Sequence, residues 1–136
     1  MKKLSLIVLA TLAFAACNKE NGNRLSVSDI KYSDCLNLPA KSWEWPTDSV
    51  ITHYDQGTLY VEHRNLCVNC GFEDVEVRIG TSHDTIIVEE EARGAATADC
   101  MCHIVNSFQI HHLNPGHYAL VMKSCYPEPN VIDINI

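Results

Sequence analysis

The chain lacks most of the sequence features that mark enzymes and nucleic-acid-binding proteins. Its 136 residues contain no G-x-S-x-G, no H-E-x-x-H and no phosphate-binding glycine loop, which are motifs of hydrolases, zinc proteases and nucleotide-binding proteins. Lys and Arg number 10 against 17 Asp and Glu, a balance that argues against binding to nucleic acid or to an anionic membrane surface. We therefore predict a non-enzymatic protein with no catalytic residue, no metal or other cofactor and no nucleic-acid partner.

Long apolar segments are also absent, but a short one lies at the N-terminus. Met1-Lys2-Lys3 is positively charged, residues 4–13 are almost entirely apolar, and Phe14-Ala15-Ala16 precedes Cys17. The apolar run is shorter than the roughly 20 residues that span a bilayer, and its order is that of a signal peptide. The segment resembles the bacterial lipobox, with Phe14 where Leu is usual, and this resemblance implies a lipid on Cys17. The alternative is an ordinary secretory peptide cut near Ala16.

These features predict three parts: a signal peptide at 1–16, a lipidated tether at 17–24 and one domain at 25–136. Asn18 stands where an Asp would resemble the inner-membrane retention signal, so we predict a lipid anchor in the outer membrane, on its periplasmic face or at the cell surface. Two lipid chains make such an anchor durable. Loss of Lys2 and Lys3 leaves 8 basic and 17 acidic residues, a net charge of −9.

Seven cysteines occur in the chain, and lipidation of Cys17 leaves an even number. An even number of cysteines in an exported domain predicts a disulfide framework. We expect three bridges, with two joining the C-x-x-C pair to the C-x-C pair and one joining Cys35 to Cys125. Local closure of the C-x-x-C is an alternative. The six cysteines are Cys35, Cys67, Cys70, Cys100, Cys102 and Cys125.

Short alternating runs separated by turn residues predict seven or eight strands and an antiparallel β-sandwich. We expect a turn at 67–71 and a flexible loop at 90–99. The even positions from Cys100 to Ile110 should face inward, with Asn106 as an interruption. The predicted strands cover 25–32, 50–54, 59–64, 74–79, 85–89, 100–110, 118–122 and 132–136.

Two resemblances support this fold class. Residues 113–118, Leu-Asn-Pro-Gly-His-Tyr, resemble the approach to the penultimate strand in immunoglobulin-like and transthyretin-like domains, where a tyrosine bonds back to the backbone. From His63 onward the chain also resembles a group of small exported β-sandwich proteins common in Bacteroidota, which implies an exported sandwich but no activity. The matching segments are 63–65, 69–70, 84–89, 100–102 and 108–118.

Three further interpretations also fit the sequence. The thiols of Cys67, Cys70, Cys100 and Cys102, or three of them with His63, have spacing suited to zinc, and a redox-active C-x-x-C is another possibility. Trp43, Trp45 and Tyr54 could form an aromatic platform for a glycan or peptide. The remaining histidines show no ligand spacing: His53, His83, His103 and His117 should lie at the surface, and His111 and His112 should point to opposite strand faces. His63 is expected to be a buried imidazole bonded near Asn65.

The function predicted from the sequence is therefore a lipid-anchored envelope protein that binds a protein or glycan partner or has a structural role. Metal binding or thiol redox chemistry at the cysteines is the alternative, and carbohydrate binding through Trp43 and Trp45 is the weaker one.

Overall fold

The computed structural model describes residues 24–36, 46–94, 99–123 and 128–136. Cys17, Trp43, Trp45 and Cys125 lie outside these ranges. The described residues form eight strands and no helix, which confirms the predicted all-β class. The strands are β1 (Ser26–Tyr32), β2 (Ser49–Asp55), β3 (Thr58–Asn69), β4 (Asp74–Ser82), β5 (Thr85–Arg93), β6 (Met101–His111), β7 (His117–Lys123) and β8 (Asn130–Asn135). Within the described ranges, no segment forms an apolar helix of membrane-spanning length.

The strands form two four-stranded sheets. The first has the order β1-β6-β3-β2 and the second the order β4-β5-β7-β8. All neighbouring strands are antiparallel except β5 and β7, which are parallel. After β5, the chain crosses to the first sheet and forms β6. It then crosses back and forms β7, which runs in the same direction as β5, so the second sheet is mixed rather than wholly antiparallel.

The β2–β3 hairpin turns at Gln56 and Gly57, both of which have positive φ, 44° and 87°. Two successive residues with positive φ are typical of the tight turns that match the twist of paired strands. The hairpin register runs from Asp55↔Thr58 to Ser49↔Arg64.

β3 is longer than the sequence pattern predicts, because the strand passes through a bulge at Asn65. This residue has φ 59°, and the register with β6 shifts between Arg64 and Leu66. The extra residue returns Leu66 and Val68 to the interior. Cys67 and Asn69 therefore belong to β3. The turn expected at 67–71 was wrong for residues 67–69, which are part of this strand.

β5 also extends further than predicted. Its pairing with β4 continues to Asp74↔Arg93, so the loop expected at 90–99 was wrong for residues 90–93, which belong to β5. Glu90 and Glu91 were predicted to lie in the loop, but pairing with β4 satisfies their backbone groups.

The interior contains two clusters of apolar side chains. The larger one, which includes Val61, Val88 and Phe108, lies between the two sheets. The smaller one comprises Leu66, Val68, Val75 and Ile104, with Phe72, Ala92 and Cys102 packed against it. At the other end of the molecule, Tyr118 Oη donates a hydrogen bond to Asn114 O at 2.9 Å, which confirms the expected tyrosine contact with the upstream backbone.

Candidate functional site

Two cysteine bridges converge at the start of β6. Cys35 is bonded to Cys102, and Cys70 is bonded to Cys100, with a Cα–Cα distance of 5.6 Å in each pair. The second bridge joins the C-x-x-C to the C-x-C, which confirms one of the two bridges predicted between these pairs. The other predicted bridge between them was wrong, because Cys102 is bonded to Cys35. The predicted Cys35–Cys125 pairing was wrong, because Cys35 is bonded to Cys102, and the alternative local closure of Cys67 to Cys70 was wrong for the corresponding reason. Cys125 lies outside the described residues, so the predicted total of three bridges stays a prediction.

The backbone explains why Cys35 reaches β6. Past the end of β1, the chain continues alongside β6, where Ser33 N donates to Val105 O and Leu36 N donates to His103 O. Cys35 is thereby held between two backbone hydrogen bonds and opposite the β6 cysteine. The sequence pattern contained no strand signal for residues 33–36, so this pairing could not be predicted.

The two bridges bring their sulfur atoms together. The Sγ atoms of Cys35, Cys70 and Cys102 all lie within 4.8 Å of one another, and Cys100 Sγ is bonded to Cys70 Sγ. We call these four residues the sulfur cluster. The ligand set expected from the sequence contained Cys67 instead of Cys35, and Cys67 lines a shallow pocket with Arg78, Glu89 and Lys123.

A second polar feature lies between the two apolar clusters. His63 Nδ1 contacts Glu90 Oε2 at 2.5 Å, and His63 Nε2 contacts Asp48 Oδ2 at 3.2 Å. Asn106 Nδ2 donates to Glu90 Oε1 at 2.7 Å. The side chains of His63 and Glu90 are 0% exposed, and that of Asp48 is 7% exposed. We call Asp48, His63, Glu90 and Asn106 the polar layer.

Strand positions explain how this layer assembles. His63 and Asn106 are direct partners in the β3–β6 register, and Glu90 reaches them from β5 in the opposite sheet. In β3, β5 and β6, the inward side chain on one side of the polar residue belongs to the larger apolar cluster. The inward side chain on its other side belongs to the smaller cluster or packs against it. Asn106 therefore keeps the inward alternation of β6, and its expected role as an interruption was wrong.

Hydrogen bonding in the layer favours the charged form of His63. A neutral imidazole has one N–H, whereas both ring nitrogens of His63 contact carboxylate oxygens, which accept when ionised. Burial alone would lower the pKa of His63, but the hydrogen bonds and charges of Glu90, and then of Asp48, together raise it above the usual value. The expectation of a buried, satisfied imidazole is confirmed, with carboxylates as its partners. Asn65 instead donates from Nδ2 to Thr47 O, beside Asp48.

The other histidines differ in their exposure to solvent. His53, His83 and His117 are exposed, as predicted. His103 is only 4% exposed, so its predicted surface position was wrong, and burial lowers its pKa.

The expected arrangement of His111 and His112 was also wrong, because β6 ends at His111 and His112 has a positive φ of 65°. The ring centroids of the two residues lie 6.3 Å apart. Both ring nitrogens of His111 have hydroxyl partners, Ser28 Oγ at 2.6 Å and Thr58 Oγ1 at 3.2 Å.

A shallow groove of about 300 Å³ crosses the outer face of the first sheet. Tyr60 is 41% exposed and Ile51 is 46% exposed, and the ring centroids of Tyr60 and His53 lie 6.0 Å apart. The outward side chains that line this outer groove are Ile51, His53, Tyr60, Glu62, Ser107 and Gln109. Tyr54, which the sequence grouped with the tryptophans, is half-buried and donates from Oη to Leu113 O, so it does not belong to an exposed platform.

The fold and these sites define a disulfide-bridged, all-β two-sheet protein. No family model, no curated protein and no solved structure matches the chain.

Proposed function

We propose that this chain is a lipid-anchored envelope protein that binds a ligand without chemical conversion, and that the ligand is a glycan held in the outer groove. The observation that carries the proposal is the mixed lining of this groove. An exposed tyrosine ring offers an apolar face, and imidazole, carboxylate, hydroxyl and amide groups surround it. Binding sites commonly combine such an apolar surface with a few polar groups that fix ligand orientation.

A sugar ring has the matching chemistry. Its C–H faces can lie on the Tyr60 ring, while its hydroxyl groups can exchange hydrogen bonds with Ser107 and Gln109. Glu62 accepts a hydrogen bond from Arg64 Nε, which offsets part of its charge and suits a neutral ligand. The groove lies on the outer side of the first sheet, whose inward side chains beneath it, Val61 and Phe108, are buried, so binding there requires no opening of the core.

The non-enzymatic part of the proposal is supported by the burial of the polar layer. A general acid or base must come within hydrogen-bond distance of its substrate. The His63 and Glu90 side chains are completely enclosed, and both ring nitrogens of His63 already have partners. We infer that this acid–base group has a structural role.

Glycan binding is tested first on a glycan array and then by calorimetry with the oligosaccharides that bind. We expect Tyr60→Ala to weaken binding on the order of tenfold, because an aromatic contact contributes about 0.5–1.5 kcal/mol and 1.4 kcal/mol corresponds to tenfold. Tyr32→Ala is the matched control, since Tyr32 is 40% exposed but lies outside the groove. Silence of the whole array, or equal affinity of Tyr60→Ala and the unaltered protein, would contradict the proposal.

The anchor rests on the N-terminal pattern around Cys17 and is tested by fractionating cells. Cys17→Ser should move the protein from the membrane to the soluble fraction and leave its fold intact, because the residue lies outside the proposed domain. Phe14→Leu, which supplies the residue usual in a lipobox, is the control and should remain in the membrane fraction. Retention of Cys17→Ser in the membrane, or loss of its fold, would refute the anchor. Protease treatment of intact cells then distinguishes the cell surface from the periplasmic face.

A further inference from the structure

The sulfur cluster combines four potential metal ligands from three separate parts of the chain. Cys35 follows β1, Cys70 follows β3, and Cys100 and Cys102 lie at the start of β6. β1 and β3 are the two strands hydrogen-bonded to β6, and the segment that follows each of them therefore places one cysteine beside the start of β6. The backbone bond from Cys70 N to Cys100 O, 3.0 Å, closes the sheet beside the cluster.

We propose that, when both bridges are reduced, Cys35, Cys70, Cys100 and Cys102 bind one zinc ion as a tetrathiolate site. A tetrahedral zinc ion with Zn–S bonds of about 2.3 Å has neighbouring sulfurs about 3.8 Å apart. The sulfurs of Cys35, Cys70 and Cys102 already lie within 4.8 Å of one another. After reduction, the two sulfurs of each former bridge must separate by less than about 2 Å to reach the tetrahedral spacing. Cys100 Sγ, which is bonded to Cys70 Sγ but lies outside that group of three, must also turn towards the sulfurs of Cys35 and Cys102. Side-chain rotation supplies movements of this size while the strands stay paired.

The chemistry balances with a dithiol as the reductant. Two dithiol molecules each give two electrons and two protons, become disulfides, and leave four cysteine thiols in the protein. Zinc binding then forms four Zn–S bonds and releases four protons, because thiolates are the ligands. Removal of four electrons by an oxidant restores the two bridges and releases zinc. The same four residues thus hold this end of the molecule together in either state.

Access to the cluster is open on one side. Cys35 and Cys100 are exposed, whereas Cys102 packs against the smaller apolar cluster. A reductant or a metal ion can therefore approach from solvent, while the apolar side excludes water from part of the site. Four thiolates are one of the usual ligand sets of structural zinc sites in proteins.

The proposal is tested by titrating the full chain with cobalt(II), which reports tetrahedral thiolate binding by its absorption. The protein is reduced with dithiothreitol, the reductant is removed without air, and cobalt is added. We expect one cobalt ion per chain, a thiolate-to-cobalt charge-transfer band, and displacement by zinc, which binds such sites more tightly. The oxidised protein should show no band.

Variants identify the ligands. Cys35→Ser should weaken cobalt binding more than about 100-fold, since even loss of a residue behind a ligand costs about 10–100-fold. Cys67→Ser is the matched control and should bind cobalt as the unaltered chain does. Lack of a band in the reduced chain would overturn the proposal, as would a band that survives Cys35→Ser but is lost in Cys67→Ser.

If the reduced chain unfolds without metal, circular dichroism measures whether it refolds when cobalt binds. Recovery of the β-sheet signal on addition of cobalt, prevented by Cys35→Ser but not by Cys67→Ser, supports the site. Cobalt binding that is equally weakened by replacement of any cysteine, with no recovery of structure, would show that an unfolded chain captures the metal and would overturn it.

Discussion

Replacement of His63 by leucine should lower the free energy of unfolding by about 3–5 kcal/mol, because it leaves the buried carboxylates without their shared partner. Glu90 would keep its bond from Asn106 but lose its cationic neighbour, and Asp48 would lose the ring nitrogen it contacts. The measurement is denaturant unfolding of both proteins. His53→Leu is the matched control, since His53 is exposed, and it should change stability by no more than about 0.5 kcal/mol.

The pH dependence of stability supplies a second readout for the same substitution. The pKa of His63 is higher in the folded protein than its usual value, so the folded state binds the proton more tightly than the unfolded state does. The resulting stabilisation is complete below the unfolded pKa of about 6.5 and declines as pH rises through the folded pKa. His63→Leu should lack this decline above pH 6.5. An unaltered decline in the variant, or a loss of stability no greater than that of His53→Leu, would contradict the role assigned to the polar layer.

Removal of the Cys35–Cys102 bridge by the double substitution to serine should lower the free energy of unfolding by about 4 kcal/mol. The bridge closes a loop with a sequence separation of 67 residues, and restriction of the unfolded chain by a loop of this length corresponds to about 4.4 kcal/mol. Removal of the Cys70–Cys100 bridge, with a separation of 30 residues, corresponds to about 3.6 kcal/mol on the same relation.

Denaturant unfolding of the two double variants checks this prediction. Both members of each bridge are replaced together, so neither variant leaves the former partner cysteine to exchange with the other bridge. Equal stability of the Cys35→Ser/Cys102→Ser variant and the unaltered protein would show that this bridge does not form. Cleavage of the unreduced protein between cysteines, followed by mass determination, assigns the pairing independently.

The sequence alone was sufficient for the fold class because alternation is a local property. Val75 and Val77 alternate with polar residues in β4, and both are buried as their pattern indicates. The bulge at Asn65 is different in kind. It depends on Leu66 and Val68 being placed opposite Ile104 and Cys102 in β6, and a contact between distant strands leaves no local mark in the sequence.

The polar layer illustrates the same limit for the candidate sites. The alternation with Leu59 and Val61 predicts that His63 faces inward. Its hydrogen-bond partners could not be predicted, because Asp48 and Glu90 lie 15 and 27 residues away in the chain. Glu90 belongs to a run of three glutamates, and only the alternation of β5 distinguishes its inward position from the outward ones. The sequence signal for this group is the presence of polar residues at inward-facing positions of several strands.

The parallel pairing of β5 with β7 has a consequence for the order of folding. Two antiparallel strands can be joined by a short hairpin, whereas β5 and β7 are separated in the chain by β6, which belongs to the other sheet. β1 likewise has no neighbour in its sheet until β6 arrives, since Ser26 pairs with His111. Such long-range pairings require loop closure before they yield stabilising contacts, and they slow folding. β6 is therefore the strand on which assembly of the first sheet depends, and a chain that ends before it lacks a partner for β1 and a central neighbour for β3.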